Sequence, residues 1–247
     1  MNIQSFKYFI KSYISVVLFL PIAITLISCK SSDIRELTSQ LQQSKKPLDS
    51  KTVVAGLKQA LEVSTRNSVA KTSKVGGFSD NPLIHIAIPQ ELRKVESSLK
   101  KIGLGRHVDK FETQMNRAAE SASKEATRIF IASITKMTFS DAWNILQGPD
   151  DAATQYFKQN TSAELSSKFK PVIKNSMGQI GFYDNYKNML KTYQAIPFTK
   201  KPDLNIETYI LQKSLDGLFT LVAQEEKMIR RDPAARVTDL LSRVFGE

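Results

Sequence analysis

Residues 106–137, RHVDKFETQMNRAAESASKEATRIFIASITKM, decide the fold. Val108, Phe111, Met115, Ala118, Ala122, Ala126, Ile129 and Ser133 recur every three or four positions. At 100° per residue they fall on one stripe, with Arg117, Glu120, Lys124 and Arg128 on the opposite side. The spacing predicts one long amphipathic helix from about Arg106 to Met137. Its alanines admit a second helix at close range, and the charged far face makes this a core seam, not a membrane-packing one.

Upstream of that stretch, Val54, Leu57 and Leu61 open one helix, and Leu92, Val95, Leu99 and Ile102 mark another that stops at Gly103-Leu104-Gly105. Between them, Gly76-Gly77 to Pro89 cannot be regular helix. Ile84, Ile86 and Ile88 alternate with His85 and Ala87, which predicts a short extended segment near residues 83–88 lying over the core. Downstream, Thr138 with Asp141 reads as a capping pair, Gly148-Pro149 ends that helix and begins the next, Thr161 with Glu164 reads as a capping box, and Pro171 predicts a kink. These signals divide the region into four shorter helices. The last carries Phe182, Tyr186, Met189, Leu190 and Tyr193 as an aromatic stripe. Asp203 or Asn205 can cap a final long helix from about Ile206 to Arg231, and Asp232-Pro233 restarts a last one with Val237, Leu240, Leu241 and Val244. The expected architecture is a single all-α domain over residues 51–247, with two long helices and the extended segment near 83–88.

The first residues have a different character. Lys7 and Lys11 precede a nearly unbroken apolar run from Ile14 to Ile27, which is shorter than the ~20 residues a spanning helix needs and is interrupted by Pro21. It ends in Leu26-Ile27-Ser28-Cys29, which resembles the lipobox of bacterial lipoproteins. Residues 1–28 therefore read as a lipoprotein signal peptide, Cys29 as the lipidated residue carrying palmitate-type acyl chains, and residues 29–50 as a polar tether, with Ile34, Leu37 and Leu41 on one stripe. Lys30 in place of an aspartate after the cysteine predicts the outer membrane, with the domain facing the periplasm. A flexible stretch of about 20 residues spans roughly 25 Å, enough to hold a domain clear of the headgroups.

Cys29 is the only cysteine, so the exported domain can form no internal disulfide and must rely on a packed core. The formal charge is +11, and loss of Lys7 and Lys11 with the signal leaves +9. Export argues against nucleic acid as the partner of that charge and directs attention to anionic lipid or envelope components, beside the simpler reading of a solvated basic surface.

Three stretches carry a family resemblance. Met115-Asn116-Arg117-Ala118-Ala119-Glu120, Gly148-Pro149-Asp150-Asp151-Ala152-Ala153-Thr154 and Leu215-Asp216-Gly217-Leu218-Phe219 resemble the bacterial family catalogued as domain of unknown function 4197. Glu225-Glu226, Ile229-Arg230 and Pro233-Ala234-Ala235-Arg236 followed by Thr238-Asp239-Leu240-Leu241 are similar to the family's ending in order and spacing. The resemblance runs from about Thr52 to Phe245. It implies a helical envelope protein, often exported or lipidated, and brings no assigned reaction with it.

The residues give no catalytic signature. There is no G-x-S-x-G, and neither His85 nor His107 stands in a recognisable relation to a serine and a carboxylate. With Cys29 acylated, two histidines fall short of the ligands zinc requires. His85 reads as a packing residue and His107 as a first-turn surface residue. Asp150 and Asp151 read as helix-capping acids or, alternatively, as a hard-cation corner suited to calcium or magnesium. Glu225 falls in the middle of the apolar arc of Leu211, Leu218, Leu221, Val222 and Ile229, where a carboxylate must be paired, protonated or facing a cavity, and Arg236 is the expected partner. Glu112 and Asn116 flank the stripe of the earlier long helix and are expected to border the same interior space. With Tyr186 of the aromatic stripe, these are the candidate ligand-binding residues. The leading expectation is a membrane-anchored, noncatalytic module without a cofactor, binding an apolar or lipid-like ligand or an envelope partner protein. The alternatives are a hydrolase using carboxylates and a divalent cation, and a purely structural scaffold.

Overall fold

The computed structural model describes residues 49–236 and 238–245. The signal peptide, Cys29 and the tether as far as residue 48 lie outside the described residues, as does Val237. Helix α1 (Ser50–Ser73) starts where Asp49 accepts the Thr52 N–H at 2.8 Å, closing one of the open donors of its first turn. Helix α2 (Arg93–Lys101) follows a 3₁₀ turn at Gln90–Leu92 and stops where the sequence predicts. Gly103 takes a φ of 79°, which lets the Leu104 N–H return to the Leu99 carbonyl at 2.8 Å.

The stretch 106–137 departs from its expected form. It folds as two helices, α3 (Gly105–Ser123) and α4 (Ala126–Lys136), separated at Lys124-Glu125, where the Glu125 N–H reaches back three residues to the Ala122 carbonyl. The apolar stripe runs through the break, because Ala122 and Ala126 are both fully buried. What changes is the set of packing partners. α3 lies on α1, α2, α6 (Ala152–Gln179), α7 (Phe182–Gln194) and α8 (Ile206–Arg231), whereas α4 packs chiefly on α1 and α6. Periodicity records which residues are buried and carries no information on whether the axis is straight.

Helix α5 (Phe139–Gln147) carries the expected cap: Asp141 accepts the Thr138 N–H at 2.9 Å and Thr138 Oγ1 accepts the Asp141 N–H at 3.1 Å. The next two expected helices are one, α6. Thr161 does not begin a helix; it is buried and donates its hydroxyl to the Phe157 carbonyl at 2.6 Å. Pro171 lies inside α6 without ending it. Both Pro171 and Ser167, whose carbonyl loses its helical donor to the proline, are exposed, so water can take the place of the missing bond. Asn205 caps α8 by accepting the Thr208 N–H at 3.0 Å. After a 3₁₀ turn at Pro233–Ala235, α9 (Asp239–Phe245) lies against α1. Three helices, α1, α6 and α8, thus run to 24, 28 and 26 residues, where two long ones are expected.

The all-α class holds, with no strand among the described residues. α8 is central, with α1, α3 and α6 packed around it. One aromatic cluster joins Phe130 of α4 to Phe157 of α6 and Phe219 of α8, at centroid separations of 4.9 and 5.9 Å from Phe130. Where the extended segment is expected, residues 82–84 form a turn and 85–89 run on without regular structure, with Ile84, Ile86 and Ile88 buried and His85 and Ala87 half-buried. This segment lies close on α8 at Gly217, where a Cβ would stand 2.6 Å from Phe78 Cε1 and 3.1 Å from Ile84 Cβ. The glycine of Leu215-Asp216-Gly217-Leu218-Phe219 is therefore there to let this segment approach. No helix among the described residues is long and apolar enough to cross a membrane.

Candidate functional site

Glu112, Asn116 and Glu120 stand four residues apart on α3 and so form one row along the helix. All three reach the non-helical stretch that follows α1. Asn116, fully buried, pairs with the backbone of Ile86 as a neighbouring strand would, its Oδ1 accepting the Ile86 N–H at 2.9 Å and its Nδ2 donating to the Ile86 carbonyl at 3.0 Å. Glu120 accepts the Phe78 N–H at 3.2 Å through Oε1 and the Arg117 guanidinium at 2.7 Å through Oε2. Glu112 Oε1 lies 2.6 Å from His85 Nε2, and the other ring nitrogen, Nδ1, lies 3.0 Å from the Ser79 carbonyl. The ring thus bridges the Ser79 carbonyl and the Glu112 carboxyl and is held from both sides. From the opposite side, Tyr209 of α8 donates its hydroxyl to the Ala87 carbonyl at 3.0 Å. Burial pushes the Tyr209 phenol up from its ordinary range and keeps it a donor.

The buried atoms of this row hold the segment, and its outer members form a cleft. Ser79, Asp80, His85, Asp109, Glu112 and Arg117 border an open depression of about 430 Å³. Asp80 and Asp109 are exposed on its rim, and Arg117 is already engaged by Glu120. The cleft therefore presents carboxylates on a chain whose overall charge is +11.

Of the residues singled out in the sequence, Glu112 and Asn116 belong to this site. His85, read as a packing residue, is a hydrogen-bonded member of its wall, and His107 is an exposed first-turn residue as expected. Glu120, assigned by its spacing to the charged far face, is in fact buried. Glu112 and Asn116 were legible as polar groups flanking the apolar stripe, Glu120 was not, and nothing local marks what the row faces.

The other candidates lie elsewhere. Glu225 is buried but does not meet Arg236; it pairs with Lys71 of α1 and accepts Asn67 Nδ2 at 3.0 Å. Arg236 instead closes the end of α8, donating to the Ile229 and Arg230 carbonyls at 3.2 and 3.1 Å. Those carbonyls lack helical donors, and Arg236 is engaged there while Glu225 is met by Lys71 and Asn67. Glu112 and Asn116 consequently do not share a space with Glu225. Tyr186 stacks on Phe111, at a centroid distance of 5.3 Å, and on Phe182, at 6.0 Å, so the aromatic stripe fills its own interior. Burial pushes the Tyr186 phenol up. Beside it, Leu99, Leu104, His107 and Met189 line a hollow of about 50 Å³, room for a water, whereas small-molecule pockets run to roughly 300 Å³ and above.

Asp150 pairs with Arg231, and Asp151 accepts Gln155 Nε2 at 2.9 Å. Neither side chain caps α6. That task falls to Glu226 of α8, which accepts the Ala153 and Thr154 N–H groups, each at 2.9 Å, together with the Thr154 hydroxyl and Arg230. Among the described residues no group of three or more His, Cys, Asp or Glu side chains is placed to hold a metal.

Residues 47–246 match the model of the family described as "Protein of unknown function (DUF4197)", so the chain belongs to that family. No curated protein and no solved structure matches the chain.

Proposed function

We propose that this member of the DUF4197 family is an exported lipoprotein, acylated at Cys29 and held at the periplasmic face of the outer membrane, and that its helical domain is a noncatalytic module binding a cationic segment of a partner protein. The anchor reading rests on the basic, apolar and Leu26-Ile27-Ser28-Cys29 regions in sequence. Two or three acyl chains suffice for stable residence, whereas one binds marginally. Replacing Cys29 by serine is expected to abolish incorporation of labelled palmitate and the matching mass on the intact protein. Undiminished labelling would contradict the assignment.

The observation that supports the binding reading is the cleft beside α3. Its wall is a non-helical segment fixed in register by Asn116, and its rim carries Asp80 and Asp109. A rigid scaffold presenting an irregular segment is the usual arrangement of a recognition surface. A lysine-rich segment would find carboxylates there, and the positive remainder of the chain would repel it from other faces. An interior apolar ligand has less support, since the aromatic stripe packs on itself. The hydrolase reading has less too, because Asp150, Asp151 and Glu225 are each engaged by a different partner.

Fluorescence anisotropy with a labelled oligolysine peptide tests the cleft. Binding is expected to weaken with salt, and the exposed pair Asp80→Asn, Asp109→Asn is expected to reduce affinity about tenfold. An oligoglutamate peptide should not bind. Equal affinity for parent and variant would remove this site from consideration.

A further inference from the structure

Phe139 and Trp143 stand one turn apart on α5 and face outward, 52% and 42% exposed, with ring centroids 6.2 Å apart and ring planes 9° from parallel. The opposite side of α5 is fixed in the domain through Ala142 and Ile145, both buried. The pair is thus a rigid apolar projection, and a tryptophan beside a phenylalanine suits an environment that is apolar on one side and wet on the other.

Its position relative to the start of α1 identifies what covers it. Lys58 of α1 donates to the carbonyl of Met137, two residues before α5, at 2.8 Å. Ser50, the first residue of α1, lies roughly 12 Å along the helix from Lys58 at 1.5 Å per residue. About 20 residues separate Cys29 from Ser50, a length that as a flexible chain would span roughly 25 Å. A domain anchored through Cys29 would stay close to the bilayer, and α5 begins beside the N-terminal half of α1. Lys51, next to Ser50, and Lys136, three residues before Phe139, are exposed and add the charge that anionic headgroups attract.

We infer that this face of the domain is a membrane-interface contact, with Phe139 and Trp143 seated among the headgroups and Lys51 and Lys136 above anionic lipid. The inference rests on the anchor reading of Cys29. The contact would fix the orientation of the domain, and lipid is the occupant because an anchor about 20 residues before Ser50 would bring this end of the domain to it.

Trp143 is the only tryptophan in the chain, so its fluorescence reports on this contact alone. The full chain is reconstituted into phosphatidylcholine vesicles with and without phosphatidylglycerol, with bromine on the lipid acyl chains as quencher, and Cys29 is read by mass spectrometry on the same sample. The expected result is a blue-shifted Trp143 emission that the brominated lipid quenches, more strongly with phosphatidylglycerol present. Phe139→Ser, an exposed change that leaves the core intact, is expected to weaken the contact about tenfold and to lower the quenching accordingly. An acylated chain whose Trp143 is not quenched overturns the contact and leaves the anchor standing. The same holds if the emission is blue-shifted without quenching, since protein and not lipid then covers the ring. An unacylated Cys29 overturns the anchor and this inference with it.

Discussion

Replacing Glu226 by alanine is expected to destabilise the protein by about 3–5 kcal/mol, the usual result of removing one partner from a buried charged network. The carboxylate is 4% exposed and all its acceptor capacity is in use. Oε1 takes the Ala153 N–H and Arg230, and Oε2 takes the Thr154 N–H and hydroxyl. The amides are the open donors of the first turn of α6, at the positive end of a 28-residue helix. Ala153 is fully buried and Thr154 is 3% exposed, so water cannot replace the lost acceptor. Arg230 keeps the Ile145 carbonyl at 2.8 Å and suffers less. Glu226→Gln should fall about midway, because its amide keeps one acceptor but turns a donor toward another. The control is the adjacent Glu225→Ala, for which about 1 kcal/mol or less is expected, since Lys71 and Asn67 are exposed and return to water. Urea unfolding with an unchanged slope reads both. A loss at Glu226 no larger than at Glu225 would show that the first turn of α6 is not held from α8.

The contrast between these neighbours also shows where a single sequence stops being informative. Caps made within four residues were readable: Thr138 with Asp141, and Asn205 before α8. So was the alternation that buries Ile84, Ile86 and Ile88. The break at Lys124 was not, because the same stripe serves two helices that turn onto different partners. Thr161 misled for the converse reason: a buried threonine was assigned a local meaning that tertiary packing overrode. The helical arc indicated that Glu225 is buried, but its partner Lys71 is 154 positions away and Arg236 only eleven, and proximity in sequence favoured the wrong cation. Glu120 and Glu226 were missed on the same ground. Each satisfies backbone donors of a distant element, and no spacing rule identifies those donors.

Asn116 connects that architecture to the proposed function, and Asn116→Leu is expected to cost about 2–4 kcal/mol. The two side chains are similar in size, so the substitution leaves little cavity. What it removes is the only feature of α3 that imitates a neighbouring strand: the paired acceptor and donor for Ile86. Both backbone groups of Ile86 are then left without those partners beneath a residue that is 1% exposed. The segment retains Glu120 at Phe78, Glu112 at His85 and Tyr209 at Ala87, so it should loosen between these points and not detach. Hydrogen exchange is the discriminating measurement. Amide protection at Ile86 should fall by more than the global loss of stability explains, while protection in α6 and α8 should follow the global loss. Oligolysine binding should weaken in the same variant even at temperatures where it remains folded, because Asp80 and Asp109 keep their charge but the wall they face no longer has a fixed register. Undiminished binding beside a loosened Ile86 would mean that charge alone makes the cleft, and that the row on α3 serves only to hold the fold.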